Sequence, residues 1–214
     1  FPLRILHTCG YALSILGFIP HLAIIVIRMM IMARSPVTNL FETFLFVGFV
    51  GAIIGLIWEK FNKRWLGIFV ANISGFLFLT IAGKFSSDGD TMGMLMAVLN
   101  SNFWLSTHVI SITIGYAGCC VAGIIAHIYM LQGILWPKDK AYLNTVYKNK
   151  RGALGFGLAM TFLGTTLGGI WADASWGRFW GWDPKENGAL LIILWSVFIL
   201  HAKAGNMIGP LGFA

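Results

Sequence analysis

Residues 40–58 read Leu-Phe-Glu-Thr-Phe-Leu-Phe-Val-Gly-Phe-Val-Gly-Ala-Ile-Ile-Gly-Leu-Ile-Trp, with Glu42 as the one charged side chain. As a helix this stretch is about 28 Å long, close to the ~30 Å hydrocarbon thickness of a bilayer. Such a stretch cannot rest in water, and inside lipid its backbone N–H and C=O groups must satisfy one another, which a helix does. The segment is therefore a membrane span.

The same reading extends to both sides. Of the 214 residues, 57% are hydrophobic and 11% charged, against about 25% charged in soluble domains. Further spans are expected near 3–33, 65–83, 103–136, 152–170 and 187–204, six in all with 40–58. The expected fold is an all-α polytopic transmembrane bundle forming a single membrane domain over residues 1–214. Pro20 is a candidate kink in the first span. Residues 91–102 read as a short interfacial helix with Met92, Leu95, Met96 and Leu99 on one face. The first apolar segment is too long for a cleavable signal peptide. The lack of an initial Met and the abrupt close at Ala214 read as part of something longer.

The net charge of +7 raises nucleic acid as a partner. Its distribution points instead to topology. Lys60, Lys63 and Arg64 form one cluster; Lys138, Lys140, Lys148, Lys150 and Arg151 form another. Eight basic residues thus fall in the loops 59–64 and 137–151, and four (Arg34, Lys84, Arg178, Lys185) in 34–40, 84–103 and 171–186. The positive-inside rule assigns the first set to the cytoplasm and the second to the outer side. No exposed basic surface with interleaved aromatics, as single-stranded nucleic acid requires, is evident. Cys9, Cys119 and Cys120 lie in apolar segments without a CxxC pair, so they read as small hydrophobes. There is also no CxxCH for covalent haem on this chain itself.

Residues 171–187 read Trp-Ala-Asp-Ala-Ser-Trp-Gly-Arg-Phe-Trp-Gly-Trp-Asp-Pro-Lys-Glu-Asn. Interfacial anchoring explains one or two tryptophans, but not Trp176, Trp180 and Trp182 interleaved with Gly177 and Gly181. Indoles offer wide flat apolar faces for a planar aromatic ligand, and the glycines allow backbone to approach it. Arg178 and Lys185 are candidates for pairing with ligand carboxylates. Asp183, Pro184 and Glu186 have the spacing of a helix N-terminus, so Asp183 is either a cap or a ligand contact.

The run from Trp176 to Glu186 resembles the "WWD" signature of haem-handling proteins of cytochrome c maturation. Within that superfamily the chain resembles the CcsA (ResC) family, a subunit of System II cytochrome c synthases. Arg34-Ser-Pro-Val-Thr-Asn-Leu-Phe-Glu-Thr43, Phe103-Trp-Leu-Ser-Thr-His108-Val, Gly115-Tyr-Ala117 and Leu200-His201-Ala-Lys203 carry the likeness from about residue 34 to 204. The resemblance implies haem b as substrate, moved across the membrane and held against the tryptophan loop for attachment to the CxxCH thiols of an apocytochrome c. It implies a haem lyase activity, a CcsB (ResB) partner or fused domain, and a bacterial cytoplasmic membrane, with a plastid thylakoid membrane as the alternative. Two competing functions stay open: a haem exporter or chaperone of the CcmC kind without ligation, and a b-type electron-transfer subunit.

The resemblance makes Trp176, Arg178, Trp180, Trp182, Asp183 and Lys185 the haem-binding set. It makes His108 the outer iron ligand and His201 the inner one. The family's second outer histidine would fall beyond Ala214. From its depth alone His127, 19 residues after His108, is an alternative inner ligand. His7 falls near the inner surface; His21 is expected to bond a backbone carbonyl freed by Pro20.

Overall fold

The computed structural model describes residues 2–86, 89–136 and 139–213. Lys138 of the inner basic cluster and Ala214 lie outside them. Among the described residues there are helices and no strand. Helix α1 spans Pro2–Met32, α2 Leu40–Asn62 and α3 Leu66–Ser86; α4 covers Asn102–Leu135, α5 Lys140–Trp176 and α6 Pro184–Ala204. All six are long and apolar enough to cross a membrane. They pack as two compact units, Phe1–Val109 and Ile110–Ala214, with α4 passing from one to the other.

In the first unit α2 and α3 form an antiparallel pair joined by a tight turn. The backbones nearly touch: a Cβ on Gly55 would lie 2.5 Å from Ala71 N, and one on Gly67 2.3 Å from Gly55 O. Small residues at the seam permit this approach, which substitutes for the hydrophobic drive that lipid does not supply. The turn is held by Glu59, whose buried carboxylate accepts the Trp65 and Gly67 N–H groups at 2.8 and 2.9 Å.

Helix α1 docks on this pair through a heptad seam. His7 bonds Glu59, Ser14 Oγ accepts from Asn72 at 2.7 Å, His21 donates to Leu45 O at 2.9 Å, and Arg28 pairs with Glu42 at 2.9 Å. Between these lie Tyr11, whose hydroxyl reaches Leu56 O, Phe18 stacked on Phe49, and buried Ile25. Positions 7, 11, 14, 18, 21, 25 and 28 follow the a/d spacing of a coiled coil. In lipid, polar side chains at such positions act as the adhesive. His21 does bond a carbonyl, but that of Leu45 on α2; α1 runs unbroken through Pro20.

The expected interfacial helix at 91–102 is not formed: the structure has a single 3-10 turn, Ala97–Leu99. The helix-opening carbonyls are already taken. Thr91 O accepts from Arg28 at 2.7 Å and Asn39 at 2.9 Å, and Gly93 O accepts from Arg34 at 2.9 Å. Side chains from the outer end of the first unit thus outcompete the local helix.

In the second unit α4 from Ile110 onward lies antiparallel against α5. Gly115 meets Thr161, Gly118 meets Gly157 and Ile112 meets Gly164. Helix α5 has 37 residues, about 55 Å at 1.5 Å per residue and far more than a bilayer core. Most of its extra length lies in 140–151, expected as a basic loop and observed as a helical extension that Asp139 caps through Tyr142 N–H. Lys150 within it is 2% exposed, with Nζ 4.8, 5.4 and 4.4 Å from the ring centroids of Tyr129, Tyr147 and Phe213.

Candidate functional site

The expected loop 171–186 is shorter in the structure, because α5 continues through Trp171 to Trp176. It stops where Gly177 takes a left-handed conformation (φ 67°) and closes the helix through its N–H to Asp173 O. This is a C-terminal cap that glycine adopts without strain. The chain resumes as helix at Pro184, so residues 177–183 form a compact turn between two helix ends.

Three features fix the turn. Phe179 packs on Gly169, where a Cβ would fall 2.5 Å from the ring. Arg178 folds across Gly181 so closely that a side chain there would overlap the guanidinium. Glu186 accepts the Gly181 N–H at 2.7 Å and the Asp183 N–H at 3.3 Å, and Arg178 lies 3.5 Å from its other oxygen. Asp183 in turn accepts the N–H groups of Lys185 and Glu186 at 2.8 and 2.9 Å, completing a capping box with Pro184 at the start of α6. Asp183 thus forms the expected cap. Arg178, expected to face a ligand carboxylate, has an internal partner in Glu186; Lys185 is exposed.

With the backbone held, the indoles of Trp176 and Trp182 point away from the core. Trp176 is 57% and Trp182 68% exposed, and Trp180 meets Trp182 edge-on with centroids 6.0 Å apart. The Trp180 Nε1–H is buried and has no hydrogen-bond partner among the described residues.

His108 sits in a π-helical turn, Leu105–Val109, near the start of α4. A π turn is a rare insertion in an α-helix and is frequent at functional sites. Here Ser35 donates to the Leu105 carbonyl at 3.1 Å, supporting the widened turn. His201 lies on the exposed face of α6, and Leu194, Trp195 and Phe198 are exposed beside it. Its Nδ1–H donates to Val197 O at 2.9 Å. His127 makes the same bond to Gly123 O at 2.8 Å on an exposed face of α4. A carbonyl can only accept, so Nδ1 carries the hydrogen in each of these bonds. Among the described residues no cluster of three or more metal-ligating side chains occurs.

The family model for cytochrome C assembly proteins matches residues 37–209. This chain belongs to that family. Among its relatives are NrfI of Wolinella succinogenes, 29% identical over 211 residues, and the cytochrome c biogenesis proteins CcsA of Guillardia theta (28% over 221) and Pinus thunbergii (25% over 245). These alignments cover 95%, 91% and 92% of the chain, and 23%, 72% and 74% of the respective relatives. Membership places the chain among multi-pass membrane proteins of cytochrome c maturation.

Inspection of motifs alone misses Glu42, Glu59 and Asn187. Glu42 and Glu59 are each 1% exposed, and both anchor α1. Their signal is present in the polar residues at 7, 14, 21 and 28, a strict heptad inside an apolar span. Asn187, whose Nδ2 donates to Trp182 O at 2.9 Å, has no such periodic signal.

Proposed function

We propose that this chain carries haem b to the outer membrane face and presents it on the tryptophan turn for covalent attachment to the CxxCH thiols of apocytochrome c. One observation carries the reading: a turn fixed by Phe179, Arg178 and Glu186 presents Trp176 and Trp182 outward. A porphyrin is a flat apolar disc with carboxylates at its edge. Indole faces suit the disc; Lys185 suits the carboxylates. His108, in its π turn, stands where the family resemblance expects the outer axial ligand.

His201 is the inner ligand, reached before haem crosses. Its exposed aromatic face leaves room for the second ligand to come from another polypeptide, which supports a CcsB-type partner or fused domain. The covalent step adds each cysteine S–H across a haem vinyl C=C; nothing leaves and no external oxidant is consumed. The protein contributes by holding vinyl and thiol in reach, an effect of orientation rather than acid–base chemistry.

The test is co-expression of the chain and its partner with a CxxCH apocytochrome. Covalent haem c is the expected product. Replacing His108 by Ala should lower haem retained at the outer site and abolish its bis-histidine spectrum. Unchanged haem content and spectrum in that variant would remove His108 from the site, and haem binding with no covalent product would leave an exporter.

A further inference from the structure

Trp182 has φ 58°, in the left-handed region that a bulky residue very rarely occupies. Strain of this kind persists only where surroundings enforce it, and three consecutive residues are enforced here. Glu186 accepts the Gly181 N–H at 2.7 Å, Asn187 Nδ2 donates to the Trp182 carbonyl at 2.9 Å, and Glu186 accepts the Asp183 N–H at 3.3 Å. Arg178 steadies the same carboxylate.

This enforced conformation buries little. The Trp182 indole remains 68% exposed, with Trp180 edge-on as its ring neighbour. A helix entry alone needs only the Asp183 cap, which is complete without a strained residue before it. The strain therefore has no return inside the chain.

From this we infer that Glu186 and Asn187 are positioning residues for Trp182: from the first turn of α6 they hold its backbone left-handed, so that the indole projects outward as one wall of the haem shelf. The inference rests on the proposed shelf and adds to it which residues set the wall's angle. Neither Glu186 nor Asn187 need touch haem for this role.

The test is hemin titration, followed by the Soret band, of the full protein with its partner in lipid nanodiscs. Trp182→Phe, which shrinks the flat face, and Glu186→Ala, which misdirects it, are each expected to weaken binding by roughly fivefold. In combination they should weaken it no further than either alone, because Glu186 acts through Trp182. The pair Trp176→Phe and Glu186→Ala should instead multiply. Glu186→Gln, which keeps an acceptor for the two N–H groups, should recover most of the affinity. Asn187→Ala spares the capping box and should behave as Glu186→Ala does, which guards against misfolding of the latter. A Glu186→Ala effect independent of residue 182, or no rescue by Gln, overturns the positioning role alone. Wild-type protein that takes up no hemin, or a Trp182→Phe variant with undiminished affinity, overturns the shelf itself.

Discussion

Substituting Gly164 by Ala places a methyl carbon 2.6 Å from the N, Cα and Cβ of Ile112 on α4. Carbon atoms in contact sit about 3.5–4.0 Å apart, so the two helices must part by roughly 1 Å at this point. The obstacle is backbone, which cannot swing aside as a side chain does. A gap of that size forfeits a quarter to a half of each nearby contact's attraction. The neighbouring approaches, Gly115 on Thr161 and Gly118 on Gly157, loosen with it. Overpacking costs about 1–3 kcal/mol, and a rigid obstacle puts Gly164→Ala near the upper end, about 3 kcal/mol. On the same helix, a Cβ added to Gly155 would meet nothing within 4 Å, so Gly155→Ala should stabilise by about 0.5–1 kcal/mol through helix propensity. The expected gap between the two variants is therefore about 3–4 kcal/mol. Reversible unfolding of both in mixed detergent micelles, followed by far-UV circular dichroism, measures it. Equal stability of the two would refute the claim that backbone contact holds α4 to α5.

Two further outcomes follow from buried charge. Glu42 is 1% exposed and holds Arg28 at 2.9 Å and the Thr38 N–H at 2.9 Å. Glu42→Ala should thus cost about 3–5 kcal/mol by stranding Arg28, and a loss under about 1 kcal/mol in the same unfolding assay counts against the clasp. Lys150 Nζ has no hydrogen bond among the described residues and relies on three aromatic rings. Since desolvation offsets cation–π attraction, Lys150→Met should fall within about 1 kcal/mol of wild type; a large loss would show that the charge itself is needed.

Much of the molecule was readable from composition and spacing. Six apolar runs give six spans, because a bilayer accepts little else of that length. Asp183, Pro184 and Glu186 announce the start of α6, since capping is a local interaction complete within four residues. The cluster of tryptophans marks the turn between α5 and α6, although its extent came out shorter: Gly177 lets the helix run on to Trp176 before it ends.

Tertiary structure alone decided the rest. Met92, Leu95, Met96 and Leu99 have helical spacing, yet Arg28, Arg34 and Asn39 take the carbonyls a helix there would need. The polar heptad of α1 is visible in sequence, but its partners Glu59, Asn72, Leu45 and Glu42 lie on two other helices, and only the fold brings them to it. Likewise, nothing local distinguishes Gly164, pressed on Ile112, from Gly155, which faces open space. Sequence by itself determined which segments cross the membrane and where the aromatic turn falls, because these depend on length, polarity and neighbours in the chain. Which side of each helix meets another, and which polar groups close on one another, depends on distances between segments far apart in the chain, and only the folded structure sets those.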